Sequence, residues 1–420
     1  MRSIEGKYSK ADIFASLIDL RALEQIQELT DNPVTEGSRI AVMPDAHAGA
    51  GGIIGLVMTV QDKVKPEHIG PDIGCSISVV DLGKAGLDLN VVDKAVTRHF
   101  SQLYLPEIPA PIDDIRSSLT FSPPMSVYHT LGTLGGGNHF IEIDKDRNGN
   151  SYLVIHTGSR GLGGSVYRHY KKIADGEENY VSYRLDRERA ALISRLKAEG
   201  REKEIQSSLK ALGKDLTERN DESFLHGEMT ESYLKDMEAS EKFSRLNHQV
   251  IADIILSECF GGATTGSFPH FITMHNYIDT KRRILHKGSI SLEDGEIAVI
   301  PISMRDGSLI VKGKGNPDYL FSGPHGAGRV MSRKKAKEEI SIGEFRKSME
   351  GIYSSTICEG TIDEAPSAYK TLDDILPHLG PTCEVQESLK SVYNFKTVET
   401  EPEWVRKKRE KKLKAGREPI

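Results

Sequence analysis

Residues 38–83 read SRIAVMPDAHAGAGGIIGLVMTVQDKVKPEHIGPDIGCSISVVDLG, short β-branched and apolar runs cut by Gly, Pro and Asp. Strands favour the first kind of residue and tight turns the second, so this stretch predicts a sheet with chemistry-bearing loops. Further along, residues 126–165 repeat the style. The Gly-rich turn LGTLGGGNHFIEID at 131–144 leads into YLVIHTGSRGLGG at 152–164, whose apolar run ends at His156. His139 and His156 are therefore expected at strand edges or loop starts. From about 165 to 256 the composition turns charged and helical, with Leu192/Leu196 and Ile205/Leu209/Leu212/Leu216 at three-to-four spacing, interrupted by Gly200 and Gly213. That spacing predicts an antiparallel helical arm, closed by a helix with Phe243, Leu246, Val250 and Ile254 on one stripe. Residues 270–331 return to strand and loop, and 333–350 read as helix.

The chain has 420 residues, 38% of them hydrophobic, which is enough for a sizeable core in one large domain or two to three smaller ones and argues against disorder as the main state. No run approaches the roughly 18 apolar residues that would span a bilayer, and the N-terminal MRSIEGKYSKADIF lacks the apolar segment of a signal peptide. A cytoplasmic protein with no membrane partner is expected. The four cysteines, Cys75, Cys259, Cys358 and Cys383, show no paired spacing, which suits a reducing compartment. Net charge is −6, but residues 404–420 carry eight Lys/Arg against two acids, so the body is acidic and the tail basic. Nucleic-acid binding by such a body must rest on local cation clusters, on metal ions or on the tail.

Five histidines stand among small residues: PDAHAG (His47), GGGNHF (His139), VIHTGS (His156), TMHNY (His275) and GPHGAG (His325). Gly-flanked histidines at strand ends can converge on one cleft. Cys75 follows Asp72 in GPDIGCS, a turn able to aim a hard carboxylate and a soft, potentially bridging thiolate at one metal. Arg160, Arg329 and Arg333 follow Gly-rich loops, where open backbone N–H groups and guanidinium forks suit phosphate, and this implies a phosphorylated substrate. The P-loop signature is absent, and LGTLGGGN is no dinucleotide fingerprint.

In this order, MPDAHAG, IGPDIGCS, LGTLGGGNHFIEI, IHTGSRGLG, MHNY, HKGSI, PISMRDGS, SGPHGAGRVMSR and DEAPSAYK resemble the RtcB family of RNA ligases, over residues 38–396. The resemblance implies an RtcB-like α+β catalytic domain at 1–396, with mixed or antiparallel sheets around a metal cleft, the helical arm at 165–256 as an insertion and a basic tail at 397–420. It implies two Mn²⁺ ions bridged by Cys75, one also held by Asp72 and His139, the other by His156 and His275. On coordination chemistry alone, Zn²⁺ competes for such a Cys/His set. The match makes His325 the nucleophile that takes GMP from GTP. Asn138, Glu142, Ser303, Tyr369 and Lys396 match positions that hold the guanylate. Arg160, Arg329 and Arg333 match basic residues expected on RNA or nucleotide phosphates, and Asp45, grouped with them, is the acid of the MPD block. In HKGSI and PISMRDGS the chain follows a bacterial-type branch, with Ile302 and Arg305 where other branches carry glycine.

The activity so implied is GTP- and Mn²⁺-dependent joining of RNA 2′,3′-cyclic phosphate or 3′-phosphate ends to 5′-hydroxyl ends, by a monomer with an archease-like activator as a candidate partner. A metal-dependent phosphodiesterase that never ligates would share the metal site without needing an adduct on His325. An RNA-binding scaffold with a decayed site would not retain the Asp/Cys/His set.

Overall fold

A computed structural model describes residues 2–100, 111–176, 192–209 and 223–398. Its strands are β1 (Arg2–Glu5), β2 (Lys10–Ile13), β3 (Arg39–His47), β4 (Ile54–Thr59), β5 (Lys63–Val64), β6 (Ser76–Gly83), β7 (Phe140–Lys145), β8 (Ser151–Thr157), β9 (Leu225–His226), β10 (His270–Met274), β11 (Asn276–Asp279), β12 (Ile284–Lys287), β13 (Ser289–Ser291), β14 (Ile297–Ser303), β15 (Gly307–Gly313), β16 (Ser322–Pro324) and β17 (Cys383–Phe395). One six-stranded sheet runs β1-β2-β3-β4-β12-β11, and a seven-stranded sheet runs β10-β6-β8-β7-β17-β15-β14. The second is antiparallel throughout, and the first is antiparallel except for the β2/β3 pair. A parallel pair needs a crossover, and the helix Leu20–Thr30 supplies it, capped by Asp19, whose carboxylate accepts from the Ala22 N–H. The architecture is the expected α+β class with mixed and antiparallel sheets.

The chain crosses from one sheet to the other at β10–β11, and His275 is the single residue between those strands. Apolar burial fixes this seam from both sides. Val42, Leu56 and Met58 of the first sheet pack with Ala22, Ile26 and Leu29 of the crossover helix and with Tyr233, Leu234 and Met237. Val80, Ile141, Leu153 and Ile155 of the second sheet pack with Val92 and Val96 of the helix Leu89–Phe100 and with Ile251 and Ile255. Each such aliphatic side chain taken from water contributes about 1.5–3 kcal/mol.

Tyr233, Met237, Ile251 and Ile255 all belong to one 32-residue helix, Glu228–Cys259, about 48 Å long at 1.5 Å per residue. Its N-terminal half serves the first core and its C-terminal half the second. This part of the span expected as a helical arm is therefore built into the body. Residues 177–191 and 210–222, including Leu212, Gly213 and Leu216, lie outside the described residues. The expected stripe of Phe243, Leu246, Val250 and Ile254 does pack: Phe243 is buried with Ile112, Ile115, Tyr128 and Leu162, Leu246 and Val250 lie half-buried against them, and Ile254 lies half-buried against the second core. A second face, Ser240, Ser244, Asn247, His248, Ile251 and Ile255, is buried as well. The helical segment expected at 333–350 is two helices, Arg333–Glu339 and Ile342–Ser348, parted where Ser341 and Glu344 form a capping box. Among the described residues no helix is long and apolar enough to cross a membrane.

Candidate active site

The site forms where strand ends of both sheets meet. Cys75 immediately precedes β6, His139 immediately precedes β7, and His156 is the penultimate residue of β8. Three backbone bonds lock the Cys75 turn: Cys75 N–H donates to Asp72 O at 3.2 Å, His275 N–H to Cys75 O at 3.0 Å, and Gly74 N–H to Asn276 O at 2.8 Å. The Asn276 amide adds donations to Asp72 O (2.7 Å) and Ile69 O (3.2 Å). The side chains consequently converge. Cys75 Sγ lies 3.4 Å from His139 Nε2 and 3.2 Å from His156 Nε2, which is 3.0 Å from His275 Nε2; Asp72 Oδ2 lies 3.7 Å from His139 Nε2.

Bonds of about 2.0–2.3 Å to one tetrahedral ion set its ligand atoms roughly 3.3–3.8 Å apart, so the Cys75, His139 and His156 atoms, all within 4.8 Å of one another, fit a divalent cation. Asp72 and His139 stand on one side of the Cys75 thiol and His156 and His275 on the other. His139 Nδ1 is 2.9 Å from Leu134 O; donating there fixes the tautomer that leaves the Nε2 lone pair to a metal. Burial pushes His156 well below the ordinary imidazole range and His275 down to about 3, so both rings are neutral, as metal ligands must be. Burial, then the charge of Asp72, pushes the Cys75 thiol well up, a shift that a bound cation reverses.

His325 follows β16 and stands with its ring centre 5.0 Å from that of His275. Asp45, wholly buried on β3, faces it: Asp45 Oδ2 lies 2.7 Å from His325 Nδ1 and accepts the N–H groups of His325 (3.1 Å) and Gly326 (3.2 Å). With Nδ1–H donated to this carboxylate, Nε2 keeps its lone pair. Two glycines make room. Gly288, at φ +60°, passes so close that a Cβ would lie 3.2 Å from His325 Cε1, and a Cβ on Gly328, at φ +78°, would run into the Asp45 carbonyl.

His156 and His325 line a cleft of about 820 Å³ together with His47, Asn138, Phe140, Glu142, Ser303, Arg329, Arg333, Glu364, Tyr369 and Lys396. All five singled-out histidines thus gather at one place, His47 through an Nδ1 contact of 3.1 Å with Asp45 O. Lys396, just past β17, is buried; its Nζ donates to Asn138 O and to Glu364 Oε2, both at 3.1 Å, and stands 5.3 Å from the Phe140 ring centre. Glu142 accepts from Asn394, and burial, with Asp144 beside it, pushes its carboxyl well up. The Ser303 hydroxyl is engaged in a turn with Asp306 at 2.7 Å. Arg329 and Arg333 converge on Asp363 and Glu364. Arg160 does not line the cleft; it donates to Thr133 at 3.3 Å and lies against Gly135. Asp45 sits beneath His325 rather than among the arginines. Residues 399–420, most of the basic tail, lie outside the described residues.

Two participants escape a reading of sequence alone. Glu364 was visible only as the second acid of DEAPSAYK, and Asn394 only as one polar residue in a terminal strand. An acid pair, Asp363–Glu364, set between Ile362 and Ala365 is the available signal for the first, since such a position must find partners when buried.

A family model described as tRNA-splicing ligase RtcB matches residues 25–123 and 117–397. The chain is 28% identical over 395 residues to the RNA-splicing ligase RtcB of Escherichia coli K12, covering 84% of this chain and 88% of that protein. It is 26% identical over 423 residues to the tRNA-splicing ligase RtcB of Aeropyrum pernix, covering 80% and 82%. The family model spans most of the chain and every strand end that builds the cleft: the chain belongs to the RtcB family.

Proposed function

We propose that the chain is an RNA ligase, dependent on GTP and two Mn²⁺ ions, that joins 2′,3′-cyclic phosphate or 3′-phosphate ends to 5′-hydroxyl ends. One observation carries this reading: His325, oriented by Asp45 at 2.7 Å, stands beside a buried Cys/His cluster at the wall of a cleft bearing Arg329, Arg333 and Lys396. A nucleophile, a metal-ligand set and cations for phosphate are what nucleotidyl transfer needs. The names of the relatives support RNA ligation as the outcome.

Any cyclic phosphate is first hydrolysed to a 3′-phosphate. His325 Nε2 then attacks the α-phosphorus of GTP; an N–P bond forms, the bond to the β-phosphate oxygen breaks, and pyrophosphate leaves. Asp45 holds the Nδ1 proton and stabilises the ring as charge develops on it. An oxygen of the RNA 3′-phosphate next displaces the imidazole, giving RNA(3′)pp(5′)G and returning the lone pair to Nε2. The 5′-hydroxyl then attacks the 3′-phosphate phosphorus, GMP leaves and its proton is lost to solvent. Asn138, Glu142, Ser303, Tyr369 and Lys396 hold the guanylate, and Arg329 and Arg333 take phosphate charge. The ions, when bound on Asp72, Cys75, His139, His156 and His275, neutralise phosphate charge and activate oxygen nucleophiles. The family resemblance favours Mn²⁺ over Zn²⁺. The enzyme so described is a cytoplasmic monomer.

Intact-protein mass after incubation with GTP and Mn²⁺ tests the reading. A GMP-sized adduct is expected on the wild type and none on His325→Ala, with metal content retained in both. A metal-loaded wild type that forms no adduct would overturn it in favour of a metal-dependent phosphodiesterase. Elemental analysis should find Cys75→Ala depleted of metal, and an unchanged count would refute the bridging role.

A further inference from the structure

Besides Glu142, a second buried carboxylate in the cleft belongs neither to the Cys75 cluster nor to His325. Glu364, 2% exposed, ends the short helical stretch Glu359–Glu364. Its Oε1 accepts from Arg333 Nη1 at 2.7 Å and from Arg329 Nη1 at 3.3 Å, and its Oε2 accepts from the Tyr369 hydroxyl at 2.7 Å and from Lys396 Nζ at 3.1 Å. Four donors thus meet on two oxygens, the full capacity of an ionised carboxylate. Burial pushes the Glu364 carboxyl up, but Lys396, Arg333, Tyr369 and Arg329 together outweigh it and hold the group down at about 2.

Each partner has some other attachment, Tyr369 by accepting from Arg329 Nη1 at 3.0 Å. Arg329 donates to Asp363 O at 2.6 Å and Met331 O at 3.0 Å, Arg333 to Asp363 Oδ2 at 2.8 Å, and Lys396 to the Asn138 carbonyl. Among the described residues Glu364 alone bonds to all four. Four cations, Lys337 joining the other three through Asp363 Oδ1 at 3.5 Å, face two carboxylates, Glu364 and Asp363, so the cluster keeps a surplus of positive charge beside the cleft, suited to a phosphate-bearing ligand. Tyr369 has no other acceptor for its hydroxyl proton among the described residues.

We propose that Glu364 is the positioning residue of the nucleotide site: it holds Tyr369 and Lys396 in place for a guanylate and spaces Arg329 and Arg333 for its phosphates. This rests on the reading above, in which Tyr369 and Lys396 face that nucleotide. Glu364 acts through its partners and makes no hydrogen bond to His325 or the Cys75 cluster. Its loss therefore falls on binding and leaves the chemical step nearly intact.

Glu364→Gln tests this, because it keeps the shape but turns an NH₂ toward groups that are themselves donors. Calorimetry with GMP on the Mn²⁺-loaded protein should find affinity lowered about tenfold or more. The KM for GTP in adduct formation should rise in parallel while kcat stays within about threefold. Glu364→Asp, which keeps the charge one methylene short, should recover part of the affinity and replaces the Gln variant should that one not fold. Unchanged GMP affinity in a folded Glu364→Gln protein, or a fall in kcat with KM unmoved, would overturn the inference. A wild type that binds GMP yet forms no adduct would defeat the ligase reading and leave the calorimetric test of Glu364 standing. A wild type that binds no GMP would defeat both.

Discussion

Asp45 is buried on β3 and spends one oxygen on three donors around His325, namely the ring Nδ1–H and two backbone N–H groups. That geometry does two things: it selects the imidazole tautomer with Nε2 free, and it fixes the loop that carries the ring. Asp45→Asn keeps the size but removes the charge that would stabilise an imidazolium, and it can turn an NH₂ toward Nδ1. Adduct formation should slow by at least about 10²-fold, with metal content and fold retained, as quench-flow mass spectrometry and metal analysis would register. A rate within a few-fold of wild type would refute an orienting role for Asp45. The same separation of tasks holds at Cys75, whose neighbour Ser76 bonds inward to Ser244 at 3.0 Å and His248 at 2.9 Å while the thiol faces the imidazoles.

The helix Glu228–Cys259 explains that inward bond. Its N-terminal half buries Tyr233, Leu234 and Met237 against the first sheet and its C-terminal half Ile251 and Ile255 against the second, whereas the Ser240, Ser244, Asn247 and His248 face between them lies at the seam beneath the Cys75 turn and is polar. There Asn247 accepts from Gly132 N–H at 2.7 Å and donates to Thr133 O, Thr157 Oγ1 and Gly158 O at 3.1–3.2 Å, tying the turn before His139 to the end of β8. His248 bridges Ser76 and Ser78, both at 2.9 Å. Asn247→Ala strands several buried backbone groups, so urea unfolding of the metal-free protein should report a loss of about 1–3 kcal/mol. Because the bonds lost are those that aim His139 and His156, metal affinity should fall by about tenfold as well. Lowered stability with metal affinity unchanged would assign Asn247 to packing alone.

Across the molecule the buried titratable groups pull stability in opposite directions. Burial pushes His68, His248, His275 and His286 down to about 3, and His156 lower than its ordinary range. The unfolded chain takes up these protons first as pH falls below about 6.5, so each such histidine withdraws up to about 1.4 kcal/mol per pH unit from there down to its folded value. Burial raises three carboxyls instead: Asp144 to about 7, Glu241 to about 8, and Glu142 well above its ordinary value. Here the folded state keeps the proton, and stability declines as pH climbs from about 4 through those folded values. Below about pH 6 these histidines, with His47 pushed down to about 4 beside them, outnumber the three acids; above about 7 the acids dominate, opposed by Lys287, which burial pushes down to about 8. Chelator-treated protein is therefore expected to be most stable between about pH 6 and 7, measured by urea unfolding at half-unit steps from pH 5 to 8. Stability that climbs steadily through pH 8 would contradict this balance. Metal binding at neutral pH should steepen the acid limb, since protons and ions compete for His156 and His275.

Local chemistry made much of this readable in advance. Alternating β-branched runs and Gly/Pro turns at 38–83 and 126–165 specify strands with exposed loop ends, because backbone preference acts over a few residues. The ordered motifs marked His325, Cys75 and the histidines around it for the same reason, since each sits in a loop whose shape its own neighbours dictate. What lay beyond reach depends on residues far apart in the chain: Asp45 meets His325 across 280 positions, and Glu364 meets Lys396 across 32 and Arg329 across 35. Nor could periodicity identify the buried face of Glu228–Cys259. A single stripe presumes one apolar neighbour and one solvent face, whereas this helix has three cores and a polar loop against it, and the stripe marks only part of what it buries. The sequence by itself determined which groups stand at strand ends; only the joining of two sheets through His275, driven by burial on both sides of the seam, decided which of them touch.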